Sequence, residues 1–330
     1  MNFHVRESQS EEDMDFFFRL GFETLKTHRK SIYDKLVEDN PGKSDDEMLE
    51  IYRKENEEYF DFNAATARVF IVERDDEKRC GYLWMGMRNS EDPWDIQTPL
   101  WIYDIVVAPG FRGHGLGKQL MRKAEDFAIE LNRNIGLFVH SDNESAIALY
   151  KNTGYLTKVV PISKRLDQNY TVPSSSSPFL IRNEDRADSN LVREIGFQRF
   201  KKKVHFSQDV EIEQVKELYE KYLNVYTEDS EKHLRLIALT KKQKLAGSLW
   251  VGISHFNENV AMIFELSIVQ ETGTEDLGRS LIYSAEKWAK RSGYVSLYIL
   301  LHSVDDVSLD TFRSMNYKIP GYFMEKKIIQ

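Results

Sequence analysis

Val106-Val107-Ala108-Pro109-Gly110-Phe111-Arg112-Gly113-His114-Gly115-Leu116-Gly117-Lys118 is the stretch on which the fold turns. An apolar run stops at Ala108-Pro109-Gly110, glycines follow at alternate positions, and the pattern then becomes helical. Leu116, Leu120, Ala124, Phe127, Ala128 and Leu131 recur at three- and four-residue steps, which puts one apolar face against a sheet. The stretch therefore joins a strand end to a helix start, where orphan backbone N–H groups and the helix dipole favour a bound anion. Gly113, Gly115 and Gly117 let the main chain approach a pyrophosphate because no Cβ intervenes, and Arg112 and Lys118 add positive charge. The spacing is not that of a Walker loop. A Rossmann fingerprint fits poorly, since the loop follows an antiparallel start instead of opening a βαβ unit.

Outward from this loop the elements alternate. Arg68–Glu73 and Cys80–Met87, rich in β-branched and aromatic residues, form a hairpin across the charged turn Arg74–Arg79. Trp101–Val107 is a third strand and Gly136–His140 a short buried one. Asn143–Lys151 reads as a second helix and Tyr155–Leu166 as a final β segment with a break at Pro161. Upstream, Asp13–Val37 and Asp45–Tyr59 read as helices. The expectation is an α/β unit with a mixed, mostly antiparallel central sheet flanked by helices.

The same pattern recurs in the second half. Gly81-Tyr82-Leu83-Trp84-Met85-Gly86 returns as Gly247-Ser248-Leu249-Trp250-Val251-Gly252, and Asp104–Leu120 lies over Glu265–Leu281 without a gap. Glu125 and Ala128 fall on Glu286 and Ala289, and after a one-residue shift Gly154-Tyr155 falls on Asn316-Tyr317. Even the starts correspond, Phe3-His4-Val5-Arg6 with Phe179-Leu180-Ile181-Arg182. Two tandem copies are expected, residues 1–170 and 179–330. The Ser/Pro-rich residues 171–178 between them can build no core and read as a linker.

Arg112-Gly113-His114-Gly115-Leu116-Gly117 closely resembles the acetyl-CoA motif of the GNAT superfamily, an Arg or Gln followed by x-x-Gly-x-Gly or Ala. The preceding strand Tyr103–Pro109 and the following Asn143–Tyr155 resemble the flanking family motifs in order and spacing. The resemblance covers residues 65–166 and implies transfer of an acetyl or other acyl group from acetyl-CoA to an amine. It implies that the main chain at Val106 and Val107 pairs with the pantetheine arm. The pyrophosphate would lie on Arg112, Gly113, His114, Gly115, Leu116, Gly117 and Lys118, and Asn143 would line the pantetheine path. Tyr150 would donate a proton to the departing thiolate as general acid. An attacking amine must first lose a proton. Asp104, on the strand that forms the cleft, is the leading candidate base, and His140 at the end of the next strand is a second, acting through water. No metal is implied, and Cys80, inside the hairpin, is not needed as a nucleophile.

In the second copy the cradle is gone. Its alignment reads Gly273-Thr274-Glu275-Asp276-Leu277-Gly278, so Glu275 and Asp276 set negative charge where a pyrophosphate would bind, and Tyr150 falls on Phe312. The hydrophobic positions Leu277, Leu281, Ala285, Trp288 and Ala289 are kept. A folded copy without a usual acetyl-CoA site is expected, whose role is to complete the acceptor pocket, to stabilise the first copy, or to hold a separate ligand.

Bulk properties narrow the classes further. The 330-residue chain is 41% hydrophobic and 30% charged with a formal net charge of −8, which argues against a nucleic-acid or anionic-membrane binder. One cysteine excludes an intramolecular disulfide. The start MNFHVRESQSEEDMDFFF has no leader pattern and no apolar run is long enough to span a bilayer, so a cytoplasmic enzyme is expected. The segment 28–62 is acidic, with Glu38, Asp39, Asp45, Asp46, Glu47, Glu50, Glu55, Glu57, Glu58 and Asp61, and would attract a cationic acceptor such as a polyamine, an aminoglycoside or a lysine side chain. A non-catalytic acyl-CoA-binding sensor or interaction module is the alternative from another class.

Overall fold

The computed structural model describes residues 2–88, 99–173, 178–207, 210–227, 232–254, 257–269 and 274–328. Ser174–Ser177 of the expected linker and Gly273 of the degenerate loop lie outside them. The first copy runs β1 (Phe3–Glu7), α1 (Glu11–His28), α2 (Lys30–Asp39), α3 (Asp45–Tyr59), β2 (Arg68–Arg74), β3 (Arg79–Met87), β4 (Leu100–Val107), α4 (Leu116–Glu130), β5 (Ile135–His140), α5 (Glu144–Asn152) and β6 (Leu156–Arg165). The second repeats the order with two helices in place of α1 to α3: β7 (Leu180–Asn183), α6 (Ser189–Ser207), α7 (Ile212–Thr227), β8 (His233–Leu239), β9 (Leu245–Ile253), β10 (Val260–Ile268), α8 (Thr274–Arg291), β11 (Ser296–His302), α9 (Leu309–Ser314) and β12 (Gly321–Lys326). Both copies are α/β, and among the described residues pairing is parallel at β4–β5 and β10–β11 and antiparallel elsewhere.

Local sequence accounts for the helix ends. Ser10 caps α1 by accepting from the Asp13 N–H, and Glu11, Glu12 and Asp13 meet the positive end of the dipole. Ser44 and Glu47 form a reciprocal capping box on α3. Two sequence expectations give way. The single helix expected over Asp13–Val37 is two, broken at Arg29 (φ −126°, ψ 48°), a break for which no glycine or proline gives warning. The break expected at Pro161 is absent. β6 keeps an unbroken register with β11 through Leu300↔Pro161, while its ladder with β12 ends at Val159, so the missing N–H falls beside a stretch without a ladder partner on that side.

The strands form one sheet in the order β1-β2-β3-β4-β5-β12-β6-β11-β10-β9-β8-β7. The two copies have exchanged their last strands: β12 pairs with β5 of the first copy and β6 with β11 of the second. The exchange is symmetric in detail, since Ser141 N–H donates to the Pro320 carbonyl (3.0 Å) and Ser303 N–H to the Lys158 carbonyl (3.1 Å). Another repeated feature is a bidentate ion pair, Arg6 on Asp13 and Arg182 on Asp188, which ties each first strand to the helix after it. In the first copy, α4 and α5 cover one face of the sheet over Leu120, Met121, Ala124 and Tyr155, and α1 to α3 cover the other over Phe17, Phe18, Phe22 and Tyr82.

Candidate active site

β4 and β5 are in register only at Leu100↔Ile135, Trp101↔Gly136 and Ile102↔Leu137. Beyond Ile102 the two strands part, and a bulge at Tyr103 shifts the side-chain parity of β4 against β3. Asp104 thereby faces the α1–α3 side, as does Val106, which packs into the core there. The Ala108 N–H donates to the Cys80 carbonyl at 2.9 Å. By the alternation of an antiparallel ladder, the amide groups of Val106 then point to Tyr82 in β3, and those of Ile105 and Val107 face the gap. Of the two residues expected to offer main chain to a pantetheine arm, Val107 faces the gap and Val106 does not. Its carbonyl accepts from Arg112 Nε at 3.1 Å.

The loop after β4 is a single 3₁₀ turn at Pro109–Phe111 followed by Gly113 and Gly115, both with positive φ (81° and 74°). A Cβ at either would meet no atom within 4 Å, so these glycines are set by backbone conformation and leave open space above the loop. Gly115 offers no side chain to cap α4, and the first turn of α4 carries no acid. No side chain caps its leading N–H groups among the described residues. Gly117 serves differently, allowing α4 to pack on Leu149 of α5, whose Cδ2 would lie 3.3 Å from an added Cβ. Arg112, Gly113, His114 and Lys118 are exposed and Leu116 is buried beneath them. These residues fit a pyrophosphate: donors, positive charge and clearance converge at one helix start. Asn143 is occupied as the N-cap of α5, where its side chain accepts from Ala146 N–H and Ser145 Oγ.

Behind the gap Tyr150 is 5% exposed, and its hydroxyl has no hydrogen-bond partner among the described residues. Burial, and then the negative charge of Asp104, push this phenol well above its ordinary value, so it stays protonated and keeps a proton to give. Asp104 accepts from Arg29 Nη2 (2.9 Å), Tyr82 OH (2.7 Å) and the Ile105 N–H (3.1 Å). The carboxylate in turn raises the Arg29 guanidinium. Gly21 of α1 makes room for this arrangement, since a Cβ there would lie 2.9 Å from Tyr82 OH and 3.0 Å from Tyr52 OH. Arg29, Tyr52 and Tyr82 escaped the sequence reading. For Tyr82 a signal existed, because the repeat replaces it by Ser248. His140 ends β5 on the surface, and Cys80 is buried with its thiol pushed up by burial.

Asp104 and Arg29 also line a cavity of about 450 Å³ between α1, α2, α3 and β4, walled by Trp84 and Tyr103 stacked at 4.9 Å. Its volume lies in the range of small-molecule sites.

The second copy shows what a closed version looks like. β10 and β11 part after Ile263↔Ile299 in the same way. The place of Asn143 is held by Asp305, whose side chain is fully buried, takes the buried Arg199 of α6 at 2.8 Å and lies 3.8 Å from Lys203. Glu265 stands for Asp104, and burial, outweighing Arg199 and Lys203, raises its carboxyl. Glu275 and Asp276 sit in the first turn of α8, and Phe312 is wholly buried in the core. Internal cations fill this cleft, and internal acids satisfy its helix dipole.

The splayed strand β4 and the uncapped, glycine-rich start of α4 lie within one continuous segment. Residues 29–155 match the family profile described as Acetyltransferase (GNAT) family, and the chain carries a GNAT-family domain, with the second half repeating its fold. Among curated proteins it is similar to the streptothricin acetyltransferase of Streptomyces lavendulae, 37% identical over 92 residues, which are 28% of this chain and 46% of that protein. It is also similar to the N-alpha-acetyltransferase RimI of Mycobacterium tuberculosis, 31% identical over 75 residues, 23% of this chain and 44% of that one. The chain thus spans less than half the length of these two relatives. A solved GCN5-related N-acetyltransferase from Sphaerobacter thermophilus aligns over 98% of this chain and 95% of its own at 15% identity and a TM-score of 0.46. No helix among the described residues is long and apolar enough to cross a membrane.

Proposed function

We propose that the first copy, residues 1–170, transfers an acetyl group from acetyl-CoA to a primary amine, and that the second copy, residues 179–330, does not. The observation that carries this reading is the contrast between the two helix starts. That of α4 has no cap and no acid, while that of α8 carries Glu275 and Asp276 in its first turn. The N–H groups of α4, with Arg112, His114 and Lys118, hold the pyrophosphate. Val107 offers its amide groups to the pantetheine arm once Arg112 swings from its carbonyl to the phosphates, and Asn143 bounds the same path.

The amine enters from the cavity on the α1–α3 side and meets Asp104. Arg29 and Tyr82 fix this carboxylate in place, and its larger contribution is electrostatic. The incoming ammonium first gives one proton to solvent at the cavity mouth, and the neutral amine attacks the thioester carbonyl. Asp104 stabilises the positive charge that appears on nitrogen as the C–N bond forms. It takes a proton from that nitrogen as the C–S bond breaks, and solvent then returns this proton to the Tyr150 phenol. Tyr150, kept protonated by burial, gives its proton to the departing sulfur.

Thiol release from acetyl-CoA across a panel of primary amines tests the reaction, and calorimetry with Arg112→Glu tests the cradle. Tight acetyl-CoA binding with no amine turned over would replace this reading with that of an acyl-CoA sensor. Undiminished binding by Arg112→Glu would remove the cradle from it.

A further inference from the structure

Resting on the reading above, we propose that the acceptor carries a second positive charge, held at the mouth of the cavity by Asp39 and Glu55 while the reacting amine lies at Asp104. The substrate class is an aliphatic diamine or polyamine. The acidic run over residues 38–61 looks uniform in sequence, but the structure sorts it. Asp45 is taken by Lys26 at 2.7 Å, Glu47 by Lys43 and the Ser44 cap, and Glu58 lies 3.8 Å from Lys54. Asp39 and Glu55 alone of that run line the cavity, and neither makes an ion pair or a hydrogen bond among the described residues. Arg29 in the lining is already answered by Asp104, which leaves Lys35, one turn before Asp39 on α2, as the remaining cation against two carboxylates.

The walls suit the rest of such a molecule. Trp84 and Tyr103 present a stacked pair, and Tyr59 stands edge-on to Tyr103 at 6.3 Å with 71% of its surface exposed at the mouth. Aromatic faces attract ammonium groups and cover methylene chains. A zwitterionic acceptor fits less well, because its carboxylate would compete with Asp104 for Arg29 and lie against Asp39 and Glu55.

Calorimetry on the full chain saturated with CoA compares 1,4-diaminobutane with n-pentylamine, a chain of equal length bearing one charge. The diamine is expected to bind about ten-fold tighter at low salt, with the preference shrinking as salt rises. In the Asp39→Asn/Glu55→Gln double variant that preference falls toward one, with thermal unfolding as the control for folding. Equal affinities in the wild type, or a preference that survives the double variant, would overturn the proposal. Thiol release, measured separately with acetyl-CoA, keeps the two readings apart. A diamine that binds selectively without release sinks the acetylation reading alone, and equal turnover of both amines sinks the second-charge reading alone.

Discussion

Arg29 holds Asp104 at 2.9 Å from the break between α1 and α2, so the same residue that bends the acceptor-side helices fixes the carboxylate at the splayed strand. Arg29→Met should lower kcat/KM for the amine by about ten-fold or more through misplacement of Asp104. Affinity for acetyl-CoA should stay within about two-fold, because the Arg29 guanidinium pairs with Asp104 and makes no ion pair or hydrogen bond with a cradle side chain among the described residues. Loss of a half-exposed partner should cost only about 1 kcal/mol of stability. A double-mutant cycle with Asp104→Asn checks the coupling. Additive losses in kcat/KM would show that the two residues act independently.

Tyr150 differs from Phe312 by one hydroxyl at matching positions of the repeat, and both rings are buried. Tyr150→Phe keeps the packing and removes the donor. kcat should fall by about 100-fold, the lower end for a lost general acid, with the acetyl-CoA Kd unchanged. Steady-state rates of thiol release measure the first and calorimetry the second. A kcat within about three-fold of wild type would reduce Tyr150 to a packing residue.

Gly115 separates conformation from charge in the cradle. Its φ of 74° suits glycine, and asparagine and aspartate tolerate that region better than other residues. Gly115→Asn should weaken acetyl-CoA binding by about ten-fold at most. Gly115→Asp, which copies the acid that Asp276 brings to α8, should weaken it by about 100-fold or more. Equal affinities for the two variants would mean that charge at this helix start has no part in recognition.

Much of this was legible in the sequence, and the parts that were not share a physical cause. The β2–β3 hairpin and α4 show themselves because their periods are local, and the cradle because glycine at alternate positions has few uses. Arg29 was hidden because the helical pattern of apolar residues passes through it unbroken. Its partner lies 75 positions away on another element. The exchange of β6 and β12 was hidden for a deeper reason. In a repeat, the last strand of either copy presents a pattern that can close either half, and nothing local tells the two arrangements apart. Repeat comparison did flag Phe312, yet Asp305 in place of Asn143 gained meaning only once Arg199 was seen upon it.

The plug in the second copy leaves a signature in the pH dependence of stability. Burial, partly offset by Asp305, lowers the Lys203 ammonium from 10.5 to about 8. Between these values the unfolded chain binds a proton that the folded chain has released, so stability contributed by this group rises with pH from about 8 to 10.5. The full swing has an upper bound of about 3 kcal/mol. Lys203→Met should abolish it. Denaturant unfolding of both proteins at several pH values across this window provides the check, and a stability difference independent of pH would refute the assignment.

Strand exchange makes a firm statement about the two halves. β12 pairs along all of β5, from Gly321↔His140 to Lys326↔Ile135, and Ile319 and Pro320 accept from Ser141 Oγ and N–H, just before the Asn143 cap. Lys326 also reaches Glu125 of α4 at 2.8 Å. A chain ending at residue 170 therefore lacks the strand that completes its own sheet, exposes both edges at its centre, and loses the brace on the loop that leads into α5. Such edges recruit other chains. The fragment is expected to aggregate or to bind acetyl-CoA at least about ten-fold more weakly than the full chain, even though every cradle residue is present. Size-exclusion chromatography and calorimetry on the fragment decide this. A monodisperse half with full affinity would show that β6 can turn back to close its own half, and that the second copy is dispensable to the first.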